Sequence, residues 1–415
     1  MGRKVFIGAV SALVTLTLLE SAARLWSITI GHPYSRVEAL EQLAKARDAA
    51  LGIRPDAAVE EDGDDRARWA ISPYLGYDRA HAPERIDRYL QDLRDAGPET
   101  FHVMVLGGSV AANFNWHGKE PLTKALARDP RWRRKDLRFL QFARGAYKQP
   151  QQLITVACLF NLGLVPDAVL NIDGFNEVAI GAGNAARGVH PGQPSALQWF
   201  PLLAGTASDS RGWELAAEVY TRRRDMLAKI DAVTGKVALH SAVLGPRLLR
   251  RVDQLQSEYA QAALCLGDEL ASDERALQRR GPFFPTGEAE VLALCAQIWS
   301  ESSLSIAKLC EARGVAYAHV LQPTLHDADS KPLTAREREG GSAVPVWVRA
   351  AHDGYPLLRA AGADLRKRGV TFRDGSQAFS EYTGDLYIDA CHFDREGHAL
   401  LAEIAAHALL DALEQ

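Results

Sequence analysis

The sequence predicts an α/β chain: a three-layer sandwich with a central parallel sheet covered on both faces, a helical insertion and one amino-terminal membrane helix. Three observations carry this. Short apolar runs rich in Val, Leu, Ile and Phe alternate with longer helix-periodic segments, the pattern of parallel strands joined by crossover helices. Between residues 181 and 313 strand signals give way to helical periodicity. The chain begins Met1-Gly-Arg-Lys4 and continues as an uncharged run from Val5 to Leu19.

That run is short for a bilayer span of about 20 residues and within the range of a secretory signal core. Glu20 and Arg24 are spaced as an i,i+4 helix pair, and Leu25, Trp26, Ile28 and Ile30 prolong the apolar face. The helix therefore reads as an uncleaved anchor over residues 1–34. Arg3 and Lys4 keep the amino end in the cytoplasm and send the bulk of the chain across, giving a single-pass inner-membrane protein with a periplasmic domain. Cleavage at Ser21-Ala22-Ala23, which would release a secreted protein, and a buried soluble helix both remain open.

Residues 35–99 read as a connector with a helix from 36 toward 70, ending in the solvated acidic stretch Glu60–Asp65. Core elements come next: strand 101–107, helix 118–128, strand 137–142, helix 149–162 and strand 167–172. After the insertion come strand 315–321, helix 345–367, strand 370–373 and helix 394–413, so residues 100–180 and 314–415 form one core. The insertion, 181–313, opens with a Gly-, Ala-, Ser- and Pro-rich stretch, Gly181 to Gly212, and continues as helices. It reads as a helical cap with a mobile entrance loop. Trp199, Phe200 and Trp213 are candidate platforms for sugar rings, with ordinary cap packing as the alternative.

Composition excludes some classes of function. With 415 residues, 47% hydrophobic content and a net charge of -4, the chain can bury a large core and has no long-range basic field. The Arg clusters at 133–134, 222–224 and 250–251 read as solvated helix faces, and no basic stripe interleaved with aromatics appears, which argues against a nucleic-acid partner. A Walker-type phosphate loop is missing, and no cofactor or metal motif is expected. Cys158, Cys265, Cys295, Cys310 and Cys391 contain no Cys-x-x-Cys pair. Cys265 and Cys295 could bridge in an oxidising compartment; plain packing is the alternative. Cys391 reads as a small buried hydrophobe.

Four segments could carry chemistry. Gly107-Gly108-Ser109-Val110 follows the strand Phe101–Leu106 and sets a hydroxyl at the carboxyl edge of the sheet. Gly145 follows Leu137–Phe142 and can turn a backbone N–H toward the same edge, unless it is a simple turn glycine. Asp173-Gly174-Phe175-Asn176-Glu177 follows Ala168–Ile172 and offers the Asn176 amide as a neutral donor, with an Asx turn as the alternative. Asp389-Ala-Cys-His392 precedes the terminal helix; its carboxylate can reach the imidazole Nδ1–H and leave Nε2 to take a serine proton. A blander reading has Asp394 capping the helix while His392 merely packs, and His398 is a helix-face residue.

Taken in order, the four blocks resemble those of the SGNH hydrolases, also called GDSL esterases and lipases, over residues 100–180 and 314–413. The resemblance implies a flavodoxin-like SGNH fold and a Ser109-His392-Asp389 triad. It further implies an oxyanion hole from Ser109 N–H, Gly145 N–H and Asn176. Gly108 stands where the family has Asp, and Glu177 replaces the Asp that ends the third block. The implied activity is two-step acyl transfer without a cofactor: hydrolysis of a small ester, expected to be acetyl, on a cell-surface carbohydrate. Acyl transfer to a polysaccharide is the close alternative. A lipid esterase and a non-catalytic glycan-binding subunit of an envelope complex also remain open.

Overall fold

The computed structural model describes residues 2–29, 33–51, 69–79, 82–203, 210–272, 281–328, 330–340 and 344–414. The acidic stretch Glu60–Asp65 lies outside them, as do the side chains of residues 2–13 and of Phe200. The chain forms two compact units, residues 1–56 with 204–269, and residues 57–203 with 270–415.

In the second unit, β1 (Trp69–Ser72) and β2 (Gly76–Arg79) form an antiparallel hairpin, followed by α3 (Ala82–Asp95). Next come β3 (Thr100–Gly107), α4 (Ser109–His117), α5 (Lys119–Leu126), β4 (Asp136–Gln141), α6 (Gln151–Asn161) and β5 (Ala168–Asp173). Two helices succeed them, α7 (Phe175–Ala185) and α8 (Ala196–Leu203). In the first unit lie α1 (Gly2–Thr29), α2 (Arg36–Leu51), α9 (Ser210–Thr234) and most of α10 (Gly245–Ser272). The second unit resumes with α11 (Glu288–Glu311), β6 (Ala316–Leu321), α12 (Ala335–Gly340), α13 (Pro345–Lys367), β7 (Thr371–Asp374) and α14 (Arg395–Leu413).

Strands β3 to β7 form a five-stranded, wholly parallel sheet in the order β4-β3-β5-β6-β7. A parallel sheet needs cover on both faces, because its crossovers lay helices there. Successive side chains of β3 supply both: Met104 and Leu106 join one apolar cluster, Val103 and Val105 the other, and all four are fully buried. The first cluster is filled from α6, α7, α11 and α13, and the second from α4, α5 and α14. Helices on both faces of the sheet are consistent with a three-layer sandwich. Burying each Leu, Val or Met in this way stabilises by about 1.5–3 kcal/mol against leaving it in water.

Helix α11 differs from expectation. It reads as part of the cap, yet its apolar face, including Val291, Cys295, Trp299, Ile306 and Cys310, is buried in the first of these clusters. It serves the sheet as the crossover into β6. The entrance stretch also holds a helix, α8, and the connector holds the β1–β2 hairpin and α3. All five cysteines are free.

The first unit has its own small core. Ala39, Leu43 and Ala46 of α2 meet Met226, Ile230 and Val233 of α9 and Val252 and Leu255 of α10. The expected pair Glu20–Arg24 forms at 2.9 Å on α1, and Glu20 also accepts from Ser241 Oγ and Ala242 N. The anchor run Val5–Leu19 falls in α1, largely on undescribed side chains. Among the described residues no helix is long and apolar enough to cross a membrane.

Candidate active site

Strand order decides where a site can form. Numbered within the sheet the order is 2-1-3-4-5, so it reverses between β3 and β5, and the crevice beyond their carboxyl ends is where open α/β sheets bind ligands. Ser109 leaves the end of β3 and Asn176 the end of β5.

Ser109 opens α4 directly after Gly107 and Gly108. Gly107 has φ +134°, and any side chain there would collide with the Ile172 carbonyl, so the strand can turn into the helix only with glycine. Gly108 holds the N-cap without a side-chain bond to the first turn. A Cβ at Gly108 would collide with Asn176 Nδ2.

Ser109 Oγ lies 2.6 Å from His392 Nε2, and His392 Nδ1 lies 2.7 Å from Asp389 Oδ2. The other Asp389 oxygen accepts from the backbone N–H groups of Cys391 (2.9 Å) and His392 (2.8 Å), which fixes the carboxylate in its own loop. Although burial works against its charge, these bonds hold Asp389 at about 2. Burial also opposes the imidazolium of His392, but the Cys391 sulfur and the Asp389 carboxylate favour it, and the ring is held well above its ordinary value. Ser109 and His392 are each 8% exposed. Asp394 caps α14 by accepting from Gly397 N, so the cap and the His392 contact coexist rather than compete.

The candidate donors meet Ser109 from two neighbouring segments. Backbone pairing between β3 and β4 runs on through Phe142 N to Val105 O and Arg144 N to Gly107 O, which brings Gly145 alongside Gly108. The Gly145 carbonyl accepts from Tyr77 Oη at 3.2 Å, and its N–H donates to no group among the described residues. Asn176 Nδ2 donates to the Tyr147 carbonyl at 2.8 Å, which assigns the amide orientation and leaves its second hydrogen available. Glu177 accepts from Gly174 N (2.8 Å) and Gln149 N (3.1 Å), and burial together with Asp173 pushes it up to about 8. It fixes the start of α7 and stays out of the crevice.

Asp389, Cys391 and His392 offer three potential metal-ligand atoms within 4.8 Å. The carboxylate and imidazole are already bonded to each other and Nε2 faces Ser109, so the grouping fits proton transfer better than an ion. Cys391 is buried, its sulfur 3.9 Å from Nδ1. His398 is buried in aromatic contact with Phe393 and Phe114 rather than on an open helix face, and burial holds it neutral, down to about 3. Trp213 is 54% exposed on α9, whereas Trp199 packs near Gly76.

Local reading misses the groups behind the site. The hairpin supplies Tyr77 and Asp78; Tyr147 Oη donates to the Tyr77 carbonyl (2.6 Å), and buried Arg144 pairs with Asp78 at 2.7 Å. No signal near these residues marks them as partners of a segment some 70 positions away. Glu337 has one: Thr334-x-x-Glu337 is a capping-box pattern. No family model matches the chain, and no curated protein matches it either.

Proposed function

We propose that the chain is a serine esterase of SGNH type, with the flavodoxin-like fold of that family, hydrolysing a small acyl ester. The observation that carries the reading is the continuous chain Ser109 Oγ, His392 Nε2, His392 Nδ1 and Asp389 Oδ2, with links of 2.6 and 2.7 Å, at the strand-order reversal. The raised basicity of His392, the unpartnered Gly145 N–H and the spare Asn176 hydrogen add to it.

In the mechanism, Ser109 Oγ attacks the ester carbonyl carbon while its proton passes to His392 Nε2. The carbonyl electrons move onto oxygen, where the N–H groups of Ser109 and Gly145 and the Asn176 amide meet the developing charge. Re-forming the C=O bond expels the alcohol, which leaves with the Nε2 proton. Water then repeats the sequence on the acyl-serine, giving a carboxylic acid and free Ser109. A hydroxyl of a glycan in place of water would make the same site an acyltransferase.

The substrate class we infer is an acetylated cell-surface carbohydrate, reached by a chain anchored through Val5–Leu19 with its bulk outside the cytoplasm. Support for the anchor is the charge pattern Arg3, Lys4 and the uncharged run after them. The mass of the mature amino terminus tests it, because a start near Ala23 means secretion. For the activity, the full chain is incubated with p-nitrophenyl acetate and with a serine-directed phosphonate, beside Ser109→Ala and His392→Ala. Turnover and labelling at Ser109 in the unsubstituted chain alone are expected. Equal behaviour in all three proteins would replace the enzyme by a binding module, and acetyl captured on an added glycan would favour transfer.

A further inference from the structure

Asp389 and His392 sit on a loop rather than on the sheet. Ile388 N donates to the His392 carbonyl (2.9 Å) and Asp394 N to the Leu386 carbonyl (3.0 Å), so residues 386–388 pair back on 392–394 around Asp389-Ala-Cys391. Such a small hairpin has little rigidity of its own. One side is pinned at its tip, where Thr324 Oγ and Leu325 N donate to the Ala390 carbonyl.

At the base of the other arm one carboxylate takes two successive backbone donors. Glu337 Oε1 accepts from both Leu386 N and Tyr387 N at 2.9 Å, and Oε2 accepts from Lys331 Nζ (2.7 Å) and Thr334 N (2.9 Å). Thr334 Oγ in turn accepts from Glu337 N and donates to Asp385, one residue before Leu386. The Lys331 and Glu337 side chains are both fully buried. A buried ion pair is weak evidence for stability, since apolar residues of like volume often serve as well. What apolar residues cannot do is accept two N–H groups at a fixed point. The four donors outweigh burial and hold Glu337 at about 2.

We propose that Glu337 is a positioning residue which, by accepting from Leu386 and Tyr387, holds the Asp389–His392 loop in reach of Ser109. The inference rests on the esterase reading for its kinetic consequence but not for its structural one. Glu337→Gln keeps the volume and removes the charge, and Glu337→Asp keeps the charge and shortens the reach. Lys331→Met leaves all three backbone donors on the carboxylate.

With p-nitrophenyl acetate, both Glu337 variants are expected to lower kcat about 10- to 100-fold with KM changed less than about twofold. The acid limb of the pH profile should move toward the ordinary histidine value as the Asp389 contact loosens. Lys331→Met should keep kcat within about threefold while losing stability. Folded Glu337→Gln or Glu337→Asp with the original kcat and pH limb would overturn the proposal. Should neither variant fold, hydrogen exchange on the unsubstituted chain decides: the Leu386 and Tyr387 amides are expected to be protected like sheet amides, and rapid exchange there overturns it. That exchange, with His392 titrated by NMR, is also read when the unsubstituted chain turns over no ester, so failure of the esterase reading and failure of this one are separable.

Discussion

Among the described residues the second unit shows two Ser-His-Asp chains. In one, Ser109, His392 and Asp389 are linked at 2.6 and 2.7 Å; in the other, Ser303, His319 and Asp173 are linked at 2.8 and 2.8 Å. By distance alone they are equals. They differ in orientation and access. His392 turns Nε2 to serine and Nδ1 to the acid, whereas His319 turns Nδ1 to Ser303 and Nε2 to Asp173. Ser303 and His319 are fully buried, and Ser303 is also bonded to Tyr317 Oη at 3.0 Å. Asp173 is spent on Trp299 Nε1 and Asn171 Nδ2 besides His319. A linked hydroxyl, imidazole and carboxylate is thus a way to satisfy buried polar groups as well as a way to activate serine. What separates them is that Ser109 and His392 keep 8% exposure each whereas Ser303 and His319 keep none.

Substitutions can break or sharpen that contrast. The largest effect is expected for Ser109→Ala and His392→Ala, each lowering turnover of p-nitrophenyl acetate about 10⁴-fold or more. Asn176→Ala should come next, costing about 10²- to 10³-fold in kcat with little change in KM, as removal of one oxyanion donor does. Asp173→Asn acts on the other chain: chemical denaturation should show a loss of about 3 kcal/mol, with turnover per folded molecule kept. Because His392 must be neutral to accept the serine proton and is held above its usual value, activity should fall with decreasing pH at a midpoint above about 6.5. A limb below that midpoint would mean that Cys391 and Asp389 do not support the ring. The smallest effect is expected for Ser303→Ala, with turnover within about twofold and stability lower by about 1 kcal/mol. A loss of activity comparable to that of Ser109→Ala would erase the distinction between the chains.

Much of the sheet is legible in the sequence because parallel strands buried on both faces read as unbroken apolar runs, and β3, β5 and β6 lie within a residue or two of where those runs predict them. Asp389 and His392 are legible because their contact is local, three residues apart. Contacts that close over long separations are not. Nothing near Asp173 announces Ser303 and His319, and nothing near Gly145 announces Tyr77. The α4 helix escapes a periodicity reading because Gly118 splits the segment after Ser109 into two short helices, and only the second carries a clear periodic face. Helix α11 reads as cap because an apolar stripe states that a face is covered without stating by what.

The β1–β2 hairpin sets a limit on shortening the protein. Tyr77 and Asp78 brace the turn that carries Gly145, so a fragment beginning at the first core strand, near residue 100, would lose that brace while keeping Ser109, His392 and Asp389. Such a fragment should still react slowly with phosphonate yet turn over ester poorly. Expression work on the second unit is therefore best begun upstream of Trp69.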